Sequence, residues 1–550
     1  MIAYICKYTP IEVIKSFGEE AYKIEPTVLN FDKAHSITHD NLCSYSKSVI
    51  EEVINKKIDK ILFVNCCDSI KRVYDVLRFR KEIKFIHLLD LPRKVNPSSI
   101  KYYENEINKF IKAYEDFSGT LFNEVKFNYL FMKKLKNNTM SNSEINIAIL
   151  GGRCPKFLMD SIKASGPNIF ANFTCTGDNN RILHKLNSYS ESILSIYPCM
   201  HMIDTDYRNK CLKKIENNIQ GIIYHTIKFC DIYSFEYAQL KNSKLPILKI
   251  ETNYTNESNG QMKTRIEAFI ESLKKTRSPC KKENIKRLQY ILGIDSGSTS
   301  TNAVIIDSDK NIVAYIIIRT GAKTINSANK ALEQILIKSN LKREDISFIV
   351  STGYGRVSIP FANINVTEIT CHGKGAHHIN SHIRTIVDIG GQDSKIIRLN
   401  EIGEVVDFTM NDKCAAGTGR FLEMMSRTLE IPLEKMGEES LKWKEDLSIT
   451  NMCSVFAESE VISLIAQNKE ISDIIHGINK SISGKIVSLM GKLGKKPDYM
   501  LTGGVAKNIG VVKTLEDTLK EPLQIYEEPE IVGALGAAII GLDYLNGKEK

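Results

Sequence analysis

Residues 290–307 read YILGIDSGSTSTNAVIID. A short apolar run enters Asp295, the chain turns through Gly297, Ser298, Thr299 and Ser300, and a second β-rich run, NAVIID, leaves at once. That is the signature of a β-hairpin closed by small residues. The turn's N–H groups and hydroxyls suit phosphate oxygens, and Asp295 suits a magnesium ion held through water. A plain polar hairpin tip is the other reading of this segment by itself. The layout recurs in RTIVDIGGQDSKIIRL (384–399), where Asp388 stands in the place of Asp295 and Gly390, Gly391, Gln392 and Asp393 form the turn. Farther on, DYMLTGGVAKNIGVV (498–512) runs from a strand through Gly503 and Gly504, with Lys507 just beyond, into a helix. Such a turn suits the adenosine end of a nucleotide.

Two acidic hairpins and a Gly-Gly turn, in this order, resemble the ATPase domains shared by actin, the Hsp70 chaperones and sugar kinases. The resemblance implies two ribonuclease-H-like α/β lobes with ATP and Mg2+ between them, each lobe turning one acidic hairpin to the phosphates.

With 550 residues the chain is too long for a single core. Its 43% hydrophobic and 25% charged content is that of a globular protein. No apolar run approaches the roughly 20 residues of a membrane span. The opening MIAYICKYTP lacks the basic and long apolar regions of a secretory signal. A cytoplasmic protein that binds no membrane is expected. The net charge of +9 is spread thinly, and its densest run, LKKTRSPCKKENIKR (273–287), reads as a solvated linker rather than a nucleic-acid surface. The linker, 273–289, divides an ATPase domain at 290–545 from residues 1–272. In that first part KILFVN (60–65), KFIHLLD (84–90), INIAILGG (145–152), GIIYHTIKF (221–229) and LPILKIE (245–251) alternate with helical periodicity. The alternation predicts doubly wound, flavodoxin-like parallel sheets in two subdomains, about 1–130 and 140–272. No repeat of fixed period is visible.

Thirteen cysteines with no CxxC pair point, in a cytoplasmic chain, to metal or redox chemistry with ligands drawn from distant segments. Cys66, Cys67 and Cys230 follow predicted strands, Cys6 follows the first apolar run, and Cys43, Cys175 and Cys199 stand in loop-like contexts. Ligands gather at the carboxyl ends of strands in open α/β sheets, and thiolates so placed suit an iron–sulfur centre. A buried cysteine that simply packs is the plainer reading of any single one, and it is kept for Cys154, Cys211, Cys280 and Cys371. NDKCAAGTGRFLEMM (411–425) and NMCSVFAESEVISLI (451–465) each set a cysteine, Cys414 and Cys453, at the start of an expected helix. The helix dipole and free N–H groups stabilise a thiolate there. Two thiolates are half of what a cubane takes, so two copies of the chain could share one cluster. Two packing cysteines are the alternative.

NDKCAAGTGRFLE, CSVFAESEVISLIAQN, STGYGR, TEITCHGKGA, VDIGGQDSK and LTGGVAKNIGV together resemble the activators of 2-hydroxyacyl-CoA dehydratases, the BadF/BcrA-type ATPases, over about 290–543. The resemblance implies a homodimer that holds one [4Fe-4S] cluster through Cys414 and Cys453 of each copy, and ATP hydrolysis that drives a low-potential electron to a partner. It places the nucleotide on Asp295, Ser298, Thr299, Asp388, Gly390, Gly391, Gln392, Gly503 and Gly504, with Gly297, Ser300 and Lys507 beside them. Gln392 or Asp393 would organise the hydrolytic water.

AYICKYTPIEVI, VNCCDSIKRVYDVL, FIHLLDLPRK, FTCTGD, YPCMHM, IYHTIKFCDIYSFEY and QMKTRIEAFIESL are similar to the dehydratase D-component and double-cubane families over about 1–272. By that similarity Cys43, Cys67 and Cys230 match the ligands of a dehydratase [4Fe-4S] cluster. Cys6, Cys175 and Cys199 are added candidates that favour a double-cubane [8Fe-9S] centre, with Cys67 preferred to Cys66. The segment 119–145 is shorter than the dehydratase insertion that helps build an acyl-CoA pocket, which puts a CoA substrate in doubt. The two resemblances together imply ATP-dependent electron transfer within one polypeptide, fed by reduced ferredoxin or flavodoxin. A separate dehydratase or double-cubane protein is a further candidate partner. A small-molecule kinase of the actin-like fold with a metal-free docking module is the alternative.

Overall fold

The computed structural model describes residues 1–39, 41–133, 145–175, 177, 189–202, 205–240, 243–255, 259–274, 289–411, 415–449 and 454–547. They form two compact units, Met1–Ile266 and Glu267–Lys550, and the α/β class expected from the sequence is what both have. Residues 275–288 of the basic run lie outside the described residues, as do 134–144 of the short segment, whose earlier part includes the helix Glu124–Lys133. Among the described residues no helix is long and apolar enough to cross a membrane.

The first unit holds two four-stranded sheets. One is β1 (Ile2–Tyr4), β2 (Ala21–Lys23), β3 (Lys60–Val64) and β4 (Phe85–Leu89) in the order β2-β1-β3-β4, with every pairing parallel. The other, β5 (Asn146–Gly151), β6 (Asn168–Thr174), β7 (Gly221–Ile227) and β8 (Ile247–Thr252), has the order β6-β5-β7-β8 and is again parallel throughout. The central strands read as unbroken apolar runs because parallel strands are covered on both faces; β7, GIIYHTI, is buried along its whole length. The edge strands β2 and β6, half-buried, carry little apolar signal. In each sheet the order reverses at the first strand, and the crevice beyond the carboxyl ends at such a reversal is where ligands collect. Cys6, Cys66 and Cys67 leave β1 and β3 at one reversal; Gly152 and Arg153 leave β5 at the other.

The second unit also holds two sheets, and these share a topology. β9 (Tyr290–Ser296), β10 (Ser300–Ile306), β11 (Ile312–Arg319), β12 (Ile346–Thr352) and β13 (Ile364–Asn365) lie in the order β11-β10-β9-β12-β13. β14 (Thr385–Ile389), β15 (Ser394–Leu399), β16 (Val405–Asn411), β17 (Tyr499–Thr502) and β18 (Leu523–Ile525) lie in the order β16-β15-β14-β17-β18. In each, the first three strands pair antiparallel and the last two add in parallel. The repetition shows no fixed period in sequence because, among the described residues, the second lobe carries four α-helices between β16 and β17, Gly419–Thr428 and Ser454–Ala466 among them, where the first lobe has the single α-helix Thr324–Ser339 between β11 and β12.

The helices Glu368–Ile379 and Val532–Leu545 cross almost in backbone contact. A Cβ on Gly536 would stand 1.8 Å from the Cys371 carbonyl oxygen, and one on Gly375 would stand 2.2 Å from that of Val532. Gly536→Ala must push the helices apart, at a cost of about 1–3 kcal/mol. Thermal melting is expected to show the loss; a variant as stable as the parent would mean that the helices part freely.

Candidate active site

β9 and β10 turn through Gly297–Thr299, with the Gly297 N–H donating to the Ser300 carbonyl (2.9 Å). β14 and β15 turn through Gly390–Asp393 in the same manner, the Gly390 N–H donating to the Asp393 carbonyl (3.0 Å). The tips meet: a methyl on Gly391 would lie 2.0 Å from Thr299 Oγ1. Between them opens a cavity of about 440 Å³. Gly297, Ser298, Thr299 and Ser300 line it from one lobe, Gly390, Gly391, Gly503, Gly504 and Lys507 from the other. Gly503, at φ +85°, passes so close under Ile389 that a Cβ would stand 2.4 Å from its carbonyl oxygen. The Lys507 ammonium is held by Glu528 and Glu530, 2.8 Å from each.

Asp295 and Asp388 face this cavity from equivalent strands and are buried. Burial pushes the Asp295 carboxyl up from its ordinary 3.8 to about 6; His372 and Lys395 pull it back, Glu368 and Asp388 add to the rise. Burial also works against the Asp388 carboxylate, but His372 and Lys395 outweigh it. Hydrogen bonds from Thr502 Oγ1 (3.0 Å) and Lys395 Nζ (3.4 Å) help to hold Asp388 below its usual range. The two acids thus differ in charge affinity through their surroundings alone.

Gln392 is exposed and is not among the cavity-lining residues. Asp393 lines the cavity, but its carboxylate accepts from the Tyr354 hydroxyl (2.6 Å) and pairs with Lys395 Nζ (2.9 Å). Among the lining residues not singled out from the sequence are Glu368 and His372, both on the helix Glu368–Ile379. Glu368 is 3% exposed, and neither of its carboxylate oxygens has a hydrogen-bond partner. Arg356 Nη1 lies 3.6 Å from it and also donates to the Gly353 carbonyl (2.9 Å). Glu271 accepts from the Thr367 N–H (3.2 Å) and from the hydroxyls of Thr367 and Thr370 (2.6 and 2.5 Å), so it fixes the start of that helix. An acid one turn before a histidine in TEITCHGKGA, at i and i+4, was the available signal.

Cys414 and Cys453 lie outside the described residues, as does Cys280. The first of the two helices begins at Gly419, not on Cys414, because Gly417 at φ +90° and a turn over Ala415–Thr418 intervene. The second begins at Ser454, immediately after Cys453. The N–H groups of Gly419 and Arg420 donate to the carbonyls of Gly390 and Gly391, each at 2.9 Å. Ser394 Oγ donates to the Gly417 carbonyl. The loop that follows Cys414 is therefore bonded directly to the phosphate-type turn. Thr428 Oγ1 donates to Glu458 Oε1 (3.1 Å), and Phe421, Leu422 and Met425 share a core with Ala457 and Val461, tying the two helices together.

In the first unit the thiols of Cys6, Cys66 and Cys67 lie together, with Cys66 next to both of the others. Cys66 holds its partners' pKa values down and its own well up. Cys43 lies near Cys67, and its thiol is raised by burial. Cys175 and Cys199 lie near each other and near Cys6; burial pushes Cys175 up to about 12. Cys230 packs against both apolar cores of the unit. Among the described residues no three His, Cys, Asp or Glu side chains converge on a single metal ion. Cys154 is raised by burial alone, and Cys371 is buried in the helix crossing.

Residues 292–541 match the profile of the BadF/BadG/BcrA/BcrD ATPase family, and residues 6–131 and 130–273 match that of the 2-hydroxyglutaryl-CoA dehydratase D-component. The activator of lactoyl-CoA dehydratase from Anaerotignum propionicum is 44% identical over 46% of this chain and 96% of its own. The chain belongs to the BadF/BadG/BcrA/BcrD ATPase family. The 2-hydroxyisocaproyl-CoA dehydratase activator of Clostridioides difficile is 39% identical over 48% of this chain and 98% of its own. The (R)-2-hydroxyglutaryl-CoA dehydratase activating ATPase of Acidaminococcus fermentans is 40% identical over 46% and 96%. Membership of this ATPase family supports ATP binding and hydrolysis by this chain.

Folding raises the Asp295 pKa, so the folded chain holds a proton that the unfolded chain has released between about pH 4 and 6. The ionised carboxylate costs stability above that window and not below it. Asp295→Asn is expected to melt higher than the parent near pH 7.5 without nucleotide, by about 2–3 kcal/mol. The gap should close as the pH falls from about 6 to about 4, and the variant should gain no stability from ATP and Mg2+. A gap independent of pH would refute the assignment.

Proposed function

We propose that the chain couples ATP hydrolysis in a domain at 290–545 to transfer of low-potential electrons. On this reading the domain comprises two ribonuclease-H-like lobes of the actin, Hsp70 and sugar-kinase type. The electrons would leave a [4Fe-4S] cluster held by Cys414 and Cys453 of two copies and reach an iron–sulfur centre held by residues 1–272, whose two flavodoxin-like subdomains are joined to the ATPase by the linker 273–289. The clusters, when bound, supply one-electron storage at low potential. The observation that carries this reading is the pair of hydrogen bonds from Gly419 and Arg420 to Gly390 and Gly391. Phosphates that reshape the second turn draw on the start of the helix next to Cys414. That is a local contact with a remote readout, as in nucleotide switches.

Asp295 and Asp388 would hold Mg2+ through water, and the two small-residue turns would hold the phosphates. For the hydrolytic water we favour Glu368 over Gln392 and Asp393, since among the described residues its oxygens accept no hydrogen bond and only face Arg356 at 3.6 Å, whereas Asp393 is already engaged. Glu368 would take a proton from water as the water oxygen bonds to the γ-phosphorus and ADP leaves. A second copy is favoured by the helix Ser454–Ala466, which exposes Val455 (63%), Phe456 (65%) and Ile462 (54%) directly after Cys453. The first-unit thiols, Cys6, Cys43, Cys66, Cys67, Cys175, Cys199 and Cys230, supply more ligands than one cubane takes, which favours an [8Fe-9S] centre. Reduced ferredoxin or flavodoxin in an anaerobic cytoplasm would be the donor, and a small molecule or a separate dehydratase the acceptor.

Cys414→Ala is expected to abolish the shared cluster and leave ATP binding intact; unchanged iron per chain would sink the assignment. Glu368→Gln should lower kcat for ATP by about 10²-fold or more with little change in KM. ATP turnover by a parent chain that holds no iron would point instead to a kinase.

A further inference from the structure

Three arginine or lysine side chains are buried in the first unit near its thiols, and one of them shows how this unit ordinarily neutralises such a charge. Arg208 is 3% exposed and is ion-paired with the buried Glu236. Lys7 (6% exposed) and Arg153 (5%) have no such partner among the described residues. The Lys7 ammonium donates to the Tyr197 carbonyl (2.6 Å). The Arg153 guanidinium donates to the carbonyls of Ile5 and Ile24 (2.5 and 3.0 Å) and lies 4.4 Å over the Tyr45 ring. Carbonyl dipoles orient a cation but leave its charge uncompensated, and a buried uncompensated charge is costly.

Thiols stand beside both. Lys7 is within electrostatic reach of Cys6, Cys175 and Cys199, and Arg153 of Cys6 and Cys175 as well as of the Tyr45 and Tyr254 hydroxyls and the Glu25 carboxylate. A third basic group, Arg93, donates to the Cys66 carbonyl (3.2 Å). The residues present therefore fit a polyanionic group: thiols at the carboxyl ends of strands beside two buried cations that, among the described residues, are ion-paired with no carboxylate.

We propose that Lys7 and Arg153 are the counter-charges of the iron–sulfur centre in the first unit and that they set its reduction potential. The inference rests on the reading that these thiols hold such a centre. They are positioning residues, acting on the centre through its charge. Reduction adds one electron, from a low-potential one-electron donor, and no proton, so the centre becomes more negative by one unit. Two fixed cations in a low-dielectric surrounding stabilise that added charge and raise the potential. The centre is thereby easier to reduce than the same thiols would make it alone.

Full-length protein purified without oxygen would be compared as the parent, Lys7→Met and Lys7→Arg, by iron per chain and by an EPR-monitored dithionite titration without ATP. The signal of the shared cluster in the other half serves as an internal reference. Lys7→Met is expected to keep its iron while the first-unit centre becomes harder to reduce, its reduced-to-oxidised ratio at fixed potential falling about tenfold (about 59 mV for one electron). Lys7→Arg should stay with the parent. Iron lost in Lys7→Met and kept in Lys7→Arg would also support the proposal, since the charge would then be needed to retain the anion. An unshifted potential in Lys7→Met, an equal shift in Lys7→Arg, or iron lost from both overturns it. A parent whose only iron is removed by Cys414→Ala overturns the first-unit cluster itself, a different and recognisable result.

Discussion

Two carboxylates, Asp295 and Asp388, are buried towards one cavity from two sheets, and much of the second unit is arranged around holding them there. Lys395 and Thr502 bond one of them, His372 stands close to both, and glycine backbones close in on the other: a methyl on Gly353 or Gly533 would lie 2.5 Å from Asp295. Each strand that carries an acid is central in its sheet and pairs antiparallel with the strand that completes its hairpin, so carboxylate and turn are placed by one register. Repulsion between the acids is partly relieved by keeping one readily protonated. A divalent cation with its nucleotide would relieve the rest, which makes ligand binding and lobe stability the same quantity seen twice.

The first unit solves a related problem with the opposite sign. Here two buried cations, Lys7 and Arg153, are held by carbonyls and, among the described residues, not ion-paired with a carboxylate, and thiols delivered by the ends of parallel strands lie beside them. A reversal of strand order leaves room beyond the strand ends, and two such sheets within one unit bring Cys6, Cys66 and Cys67 near Cys175 and Cys199. The absence of any CxxC spacing follows: the convergence is made by topology, not by a local loop.

The features legible in the sequence were those governed by local rules. Small-residue turns flanked by apolar runs marked both hairpins, and apolar stretches marked β3, β4, β5, β7 and β8; in the central β3, β5 and β7 the run is nearly unbroken because strands covered on both faces admit few polar residues. Half-buried β2 and β6 escaped notice for the converse reason. Glu368 had only a weak signal in the sequence, an acid four residues before His372, and it is the placement of its helix at the cavity that brings it there. Gln392 sits in the right turn yet points to solvent, a distinction that one residue of register decides. The helix after Cys414 starts late because Gly417 takes a left-handed conformation that a simple periodicity count ignores. Lys7 and Arg153 were visible only as basic residues beside cysteines; that no carboxylate is ion-paired with them among the described residues is a property of the fold.

The glycine crossing of the helices Glu368–Ile379 and Val532–Leu545 restricts how the two lobes can move. With the Cα of Gly536 against the Cys371 carbonyl and that of Gly375 against Val532, each helix sits in a notch of the other. A slide by one residue would drive Ala537 or Ala376 into the backbone opposite, which leaves a change of angle about the contact as the less obstructed movement. The crossing is then a pivot set beside the cavity, since Gly533 abuts Asp295 and Cys371 precedes His372. Opening and closing should be a change of angle at constant helix separation, with displacements that grow with distance from the crossing.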